Sequence, residues 1–363
     1  MKIALASLYG RSSKSILRES RNFFDKSDHL DIRNIEVRVG SKELNVLYQG
    51  KPLDKYDCIY VRGSFRYALL QQSLTRALHS EIYMPIEPHA FTLGHNKFLT
   101  LLELQKNKVP LPTTYFVTNI RAAKKLLEQV NYPIIMKIPS GTQGKGVMFA
   151  DSISSAKSML DALDTFKQPY ILQEFVETDA TDIRAIVLGD KVIAAMKRKA
   201  AKGELRANIH AGGIGTNYEL DYDTEQVAVK SAKSIGADIV AVDILDSGGK
   251  PQVIEVNLSP GLTGIEKATG KNIAKEIAKF LFNKTKEFKN QKSANDVKNI
   301  LDKIEVESLH GEKKEILTNL DIKAGIIKLP KIVTDISKFN SDDEVAIQSK
   351  KGEIIIKKQE IKK

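Results

Sequence analysis

The sequence predicts a mixed α/β protein of three regions, and three observations carry that reading. Short apolar strands alternate with helical stretches through residues 1–90, the pattern of an open α/β layer. Two strands, VAVDIL and VIEVN, set acidic and amide side chains among apolar ones. Beyond about residue 296 the composition shifts to Lys, Glu, Asp and Ile, and the last arginine of the chain is Arg206. At 363 residues, 42% of them apolar, the chain can fill two or three cores.

In the first region KIALASL reads as a strand, a serine-bearing segment as a helix, and IRNIEVRVG and CIYVRG as further strands. The first turn has Gly10 alone and lacks the G-x-G-x-x-G spacing of a dinucleotide site. The second region, 91–285, opens with a helix over HNKFLTLLELQKN, ended by Pro110 and Pro112. The strand TTYFVT, a helix capped by Asn119, the strand YPIIMKIP, the glycine-rich turn SGTQGKGV and the strand VMFAD follow. A helix over 152–165 precedes YILQEFV, and DIRAIVLGDKVIAAMKRK predicts a hairpin turning at Gly189-Asp190. A helix near 223–236 separates this hairpin from the two acidic strands. The last helix, 271–288, is expected to pass into a polar linker at 286–298. In the third region, 299–363, AGIIKLPKIV, EVAIQSK and EIIIKKQ read as strands around turns at Ser341-Asp342 and Lys351-Gly352. A region this small needs docking or dimerisation to complete a core.

Composition narrows the partners. Trp is absent and aromatics make up 7%, which offers no stacking platform for single-stranded nucleic acid. The net charge of +11 suits nucleotides, polyglutamate or acidic protein tails; it is not gathered in one block, so nucleic acid is not the expected partner. The single cysteine, Cys58, excludes an intrachain disulfide framework and a multi-cysteine zinc site. MKIALASLYGRSS reads as a first strand rather than a signal peptide, and no run reaches the roughly 18 apolar residues of a membrane span. The expectation is a cytoplasmic chain without a membrane partner.

The chemistry concentrates in four places. Alternate strand residues share a face, so Glu255 and Asn257 point together, and Asp243 on the preceding strand completes an oxygen-only set. Such a set suits Mg²⁺ or Mn²⁺, and Mg²⁺ is usually shared with substrate phosphates, so a nucleotide is implied. The competing reading is a hairpin whose acids face water. SGTQGKGV exposes backbone N–H groups able to close over phosphates, beside Lys137 and Lys145, though it departs from the P-loop spacing. QEFV offers a strand end whose backbone can pair with an adenine edge. Asp182, Arg184, Arg198, Arg206, Asn208 and His210 gather guanidinium forks suited to carboxylate or phosphate; a solvated arginine face is the alternative.

Taken in order, HNK (95–97), MKIPSGTQGKGV (136–147), QEFV (173–176), DIRAIVLGDKVIAAMKRKA (182–200), GELRANIHAGG (203–213), AVDIL (241–245) and VIEVNLSPGLTGIEKATG (253–270) resemble the ATP-grasp superfamily, in its RimK-type amino-acid ligase branch. The resemblance implies a pre-ATP-grasp domain at 1–90, an ATP-grasp core of two α+β subdomains at 91–285, and an added β-rich domain at 299–363. It implies ATP with two Mg²⁺ (or Mn²⁺) ions held by Asp243, Glu255 and Asn257, with Glu255 bridging. The implied nucleotide contacts are Lys97, Lys137, Gly141, Gln143, Gly144, Gly146, Glu174, Phe175, Val176, Asp182, Arg206, Ala207 and Asn208, with the 140–146 loop as a lid. Arg206, Asn208, Arg184 and Arg198 would act on the reacting groups. The family reaction activates a carboxylate as an acyl phosphate that an amino group attacks, releasing ADP and phosphate. The partners it implies are an amino acid, glutamate for preference, and a carboxylate acceptor: a protein tail, a carrier protein or a coenzyme. A homo-oligomer is expected. Arg62 and Arg66 are candidate substrate contacts by position. The tail faintly resembles an AbrB-like hairpin, read here as a dimerisation or docking element. A nucleotide-binding regulator with an inactive core is the alternative function.

Overall fold

The computed structural model describes residues 1–138, 146–165, 169–201, 213–307, 321–323, 326–340 and 343–358, with backbone alone for 294–307, 321–323, 332 and 336. It divides into two compact units, Met1–Lys286 and Glu287–Lys363. The class is mixed α/β, as the sequence predicts.

The chain begins β1 (Lys2–Ser7), α1 (Arg11–Ser20), β2 (Lys26–Asp31), β3 (Ile35–Val39), β4 (Leu44–Tyr48), β5 (Lys51–Pro52), β6 (Cys58–Val61), α2 (Ala68–Leu78) and α3 (Pro88–Gly94). Strands β2, β1 and β6 form a parallel sheet in that order. Its central strand is buried from Ile3 to Ser7 and β6 throughout, which is why both read as continuous apolar runs. Strands β3, β4 and β5 form a separate antiparallel sheet.

Next come α4 (Lys97–Lys106), β7 (Thr114–Val117), α5 (Ile120–Leu126), β8 (Ile134–Lys137), β9 (Val147–Ala150), α6 (Ile153–Thr165) and β10 (Tyr170–Glu174). The strands make an antiparallel sheet ordered β7-β10-β8-β9. Ala123, Leu127, Ile134, Met136, Leu160 and Leu172 belong to the buried cluster between this sheet and helices α5 and α6. Asn119 caps α5, accepting from Arg121 N and Ala122 N, as its position before the apolar run predicts.

A third sheet is built by β11 (Thr181–Leu188), β12 (Lys191–Lys199), β13 (Ile214–Asn217), β14 (Ile239–Asp246) and β15 (Pro251–Asn257), ordered β13-β12-β11-β14-β15. Helix α7 (Tyr222–Ile235) packs on it, and α8 (Thr263–Thr269) lies against β12 and β13. The β11–β12 hairpin turns at Gly189-Asp190. Two bulges interrupt the ladders. The register shifts between Ile186 and Val187, leaving Ile193 as the extra residue on β12. It shifts again between Asp243 and Ile244, leaving Ile254 extra on β15.

Two expectations are corrected. The stretch 286–298, expected as a linker, lies inside one helix, α9 (Ile273–Glu307). Its polarity suggested a loop, but no Gly or Pro occurs between 273 and 307, and Lys, Glu, Gln and Ala are good helix formers. In the second unit β16 (Asp321–Lys323) pairs with β17 (Ile326–Lys328), and β18 (Val345–Lys350) pairs with β19 (Glu353–Lys358). The strand expected over AGIIKLPKIV stops at Lys328, and α10 (Lys331–Ser337) starts after Pro330. Proline fixes φ near −65° and has no N–H, so it suits a helix start and cannot continue a ladder. The turn expected at Ser341-Asp342 lies outside the described residues; the one at Lys351-Gly352 is present, with Gly352 at φ +81.

Candidate active site

One face of the five-stranded sheet carries the charged side chains. Across the ladders Asp182 stands opposite Arg198, Arg184 opposite Asp243, and Asp243 opposite Glu255, with Asn257 two residues farther along β15. Arg184 donates to Asp243 through Nε at 2.7 Å and Nη2 at 2.6 Å. Arg198 donates to Asp182 through Nε at 2.5 Å and Nη2 at 2.7 Å, and its Nη2 also lies 3.2 Å from Asp243 Oδ2. These forked pairs are the geometry that Arg favours over Lys.

Burial sets their charges apart. At Asp243 burial pushes the carboxyl upward, but Arg184 and Arg198 together outweigh it and hold the group down at about 2. At Asp182 burial is the larger influence and the carboxyl is raised despite Arg198. Among the described residues Asp243 Oδ2 accepts from both arginines while Oδ1 accepts once. A carboxylate has about four acceptor positions, so Oδ1 retains room for a cation.

Two lysines approach this face. Lys97 is the first residue of α4, whose cap, Asn96, accepts from Phe98 N and Leu99 N. A cation in the first helical turn opposes the helix dipole; Glu255 Oε1, 3.1 Å from Lys97 Nζ, offsets that. Lys137 ends β8 and donates to Gln173 Oε1 at 2.5 Å, while Gln173 Nε2 donates to Thr114 Oγ1 at 2.8 Å. Burial lowers Lys137 to about 8, with nearby Lys97 adding to the effect and Glu255 opposing it.

A cavity of 140 Å³ lies beside this row, with Gly63, His95, Lys97, Glu255, Asn257 and Ser259 in its wall. Asn257 Nδ2 is buried without a hydrogen-bond partner among the described residues, so no described group fixes the amide and its oxygen can turn toward the cavity. Among the described residues no three of His, Cys, Asp and Glu gather as a metal group. A cation here needs the amide oxygen of Asn257 as third donor beside Asp243 and Glu255. That oxygen-only set fits Mg²⁺ and not zinc.

The remaining expected positions are distributed as follows. Glu174 ends β10, exposed, with its N–H given to Thr113 O; Phe175 packs edge-on against Phe149 with ring centres 5.3 Å apart, and Val176 follows. Gly146, at φ +76, accepts from Ile138 N and closes the glycine loop. Gly141, Gln143, Gly144, Arg206, Ala207 and Asn208 lie outside the described residues, as do Lys145 and His210. Arg62 is a strut: it is 5% exposed and donates to Tyr60 Oη at 2.9 Å and Pro260 O at 2.7 Å. Arg66 is exposed on a short 3₁₀ turn.

Gln173, Gln71, His95 and Ser259 were not singled out from the sequence as site residues. Gln173 and Gln71 are 3% and 0% exposed, and an amide inside an apolar run was the signal available for both. His95 Nε2 donates to Gln71 Oε1 at 3.0 Å, and burial lowers its pKa below the usual imidazole value. Gly63 N donates to Ser259 Oγ at 3.0 Å.

A family model described as a RimK-like ATP-grasp domain matches residues 94–281. A probable alpha-L-glutamate ligase of Syntrophotalea carbinolica is 38% identical over 253 residues, spanning 69% of this chain and 84% of that protein. Another probable alpha-L-glutamate ligase, from Shewanella loihica, is 35% identical over 293 residues, spanning 79% and 97%. Among solved structures, the ATP-grasp ligase PsnB complexed with a phosphomimetic variant of its minimal precursor, Mg and ADP superposes with a TM-score of 0.62 at 18% identity, covering 78% of this chain and 98% of that one. D-alanine–D-alanine ligase from Bacillus anthracis superposes with a TM-score of 0.55 at 14% identity, covering 80% and 99%.

Proposed function

This chain belongs to the RimK-like ATP-grasp family, and on that premise we propose that it joins glutamate to a carboxylate acceptor through an acyl phosphate. Membership makes it an ATP-dependent, Mg²⁺-using ligase that forms carbon–nitrogen bonds between amino-acid or peptide substrates. No helix among its described residues is long and apolar enough to cross a membrane. The glutamate assignment is supported by relatives named alpha-L-glutamate ligases that are matched over most of their length.

The observation that carries the proposal is the cation-and-acid row of Lys97, Glu255, Asp243 and Arg184 beside the 140 Å³ cavity. Lys97 and Lys137 would bind phosphate oxygens. Glu255, Asn257 and the free side of Asp243 Oδ1 would hold Mg²⁺, which when bound would neutralise charge on the transferring phosphoryl group. We assign two ions, with Mn²⁺ as a substitute. Arg184 and Arg198 would hold Asp243 ionised and aimed rather than touch substrate, which leaves Arg206 and Asn208 as the groups for the reacting centre. The acceptor carboxylate would take the γ-phosphoryl group and release ADP. The neutral amine of glutamate would then attack the acyl carbon, forming the C–N bond as the C–O bond to phosphate breaks and the nitrogen gives up one proton, keeping the other as the amide N–H. Residues 1–90 would shape the acceptor side, 91–285 the nucleotide side.

The test is ADP release with ATP, Mg²⁺ and glutamate over a panel of acceptors, scored also by the mass gained by the acceptor. Glu255→Gln keeps shape and removes charge, and should cut turnover at least about 100-fold, the loss typical of an electrostatic contact at a transferring group. Near-normal turnover by this variant would remove the metal assignment. A mass gain with another amino acid and none with glutamate would overturn the substrate assignment.

A further inference from the structure

In the second unit, β18 and β19 form a ribbon with one aliphatic face largely exposed among the described residues. Cross-strand partners share a face, and the register puts Val345, Ile347, Ile354 and Ile356, with Ser349 and the end residue Lys358, on one side and Ala346, Gln348, Lys350, Glu353, Ile355 and Lys357 on the other. On the first side Ile347 is 63% exposed and Ile354 52%. Among the described residues no buried apolar side chain lies beyond Leu281. A lone two-stranded ribbon is marginal in water, so this one needs a neighbour. The outer edge of β19 carries no ladder among the described residues.

That edge is self-complementary. Strand β19 reads Glu-Ile-Ile-Ile-Lys-Lys, with its acid at one end and its bases at the other. We infer that β19 pairs antiparallel with β19 of a second copy of this chain, across a twofold axis at Ile355. This register sets Glu353 opposite Lys357 of the copy twice, Ile354 opposite Ile356 twice, and Ile355 opposite itself. It joins the two apolar faces into one four-stranded surface bearing eight aliphatic side chains. A one-residue slip would place the apolar face of one ribbon beside the polar face of the other. The reciprocal contacts are those of an isologous dimer. Glu353 also lies 2.5 Å from Lys350 of its own chain, but both are largely exposed and that ion pair holds little.

The experiment is sedimentation equilibrium of the full chain at micromolar concentration, with charge exchange at the proposed contact. Wild type should weigh twice the chain mass. Lys357→Glu leaves the Lys350–Glu353 contact intact and puts like charges opposite each other twice, so it should raise the dimer dissociation constant about tenfold. Glu353→Lys should do the same, and Glu353→Lys/Lys357→Glu together should restore wild-type association. A monomeric wild type overturns the inference, whether the ribbon is then covered by its own chain or by another protein. A dimer insensitive to either single change, or one that the double change fails to restore, overturns it as well.

Discussion

Arg198→Met tests the reading of the site most directly. The wild-type guanidinium is 4% exposed, holds Asp182 through two bonds and reaches Asp243 with a third. In the variant Asp243 keeps both bonds from Arg184, but Asp182 loses its only ion pair among the described residues. Removing one partner of a buried pair costs about 3–5 kcal/mol, a large part of a typical total near 5–15 kcal/mol. With a urea slope near 3 kcal/mol/M, the midpoint should fall by roughly 1–1.7 M. The pH dependence follows from the sign of the Asp182 shift. Its carboxyl is already raised by burial and rises further without Arg198. A carboxyl raised on folding contributes stability that is full below its unfolded value, about 3.9, and lost as pH rises through the folded value. The deficit should therefore be largest at neutral pH and shrink toward pH about 4. Asp243, held at about 2, loses its own contribution only below that window. Arg198→Met/Asp182→Asn removes the stranded charge and should recover at least about half of the loss with no such pH slope. Urea melts of the three proteins across pH 4–7 measure this. A double variant as unstable as the single, or a deficit flat with pH, would refute the reasoning.

Two further outcomes follow from local geometry. Lys137, lowered to about 8 in the free protein, binds phosphate only when protonated, so ATP affinity should weaken about tenfold from pH 7 to pH 9; nucleotide titration checks it, and a flat profile contradicts it. A Cβ at Gly63 would stand 2.6 Å from Nε2 of Gln71, which is 0% exposed and cannot swing away. Gly63→Ala should thus cost about 1–3 kcal/mol, much of it recovered in Gly63→Ala/Gln71→Ala, as thermal melts would reveal.

Local pattern made part of this molecule legible before any coordinates. Period two placed Glu255 and Asn257 on one face, the Gly189-Asp190 pair gave the hairpin, and Asn119 marked a helix start. Strand β2, KSDHLD, was missed because it is an edge strand with only Leu30 buried, so no apolar run marks it. The pairing of Arg184 with Asp243 depends on how strands 59 residues apart align, and no local pattern contains that. The partner of Arg198 was hidden for a different reason. A plain ladder from the Gly189-Asp190 turn sets Asp182 opposite Lys197; the extra Ile193 brings Arg198 there instead. The length of α9 was a misreading of polarity, since the absence of breakers was visible in the sequence.

Those two extra residues make the site answer to the number of residues in a strand more than to their identity. Ile193 and Ile254 could each be exchanged for another aliphatic residue with small effect, because a bulge needs a position to be filled. Deleting Ile193 would close its bulge and leave Arg198 opposite Asp182 in a plain ladder, and deleting Ile254 would likewise leave Glu255 opposite Asp243, whereas one further residue inserted in either stretch would turn the charged side chain to the other side of the sheet. The bulge at Ile193 is pinned from outside, since its carbonyl accepts from Lys271 Nζ at 3.0 Å. Single-codon insertions between residues 187 and 197, or between 244 and 254, should therefore be purged from natural variants of this chain, while loss of the one extra residue and point changes at the same positions are tolerated.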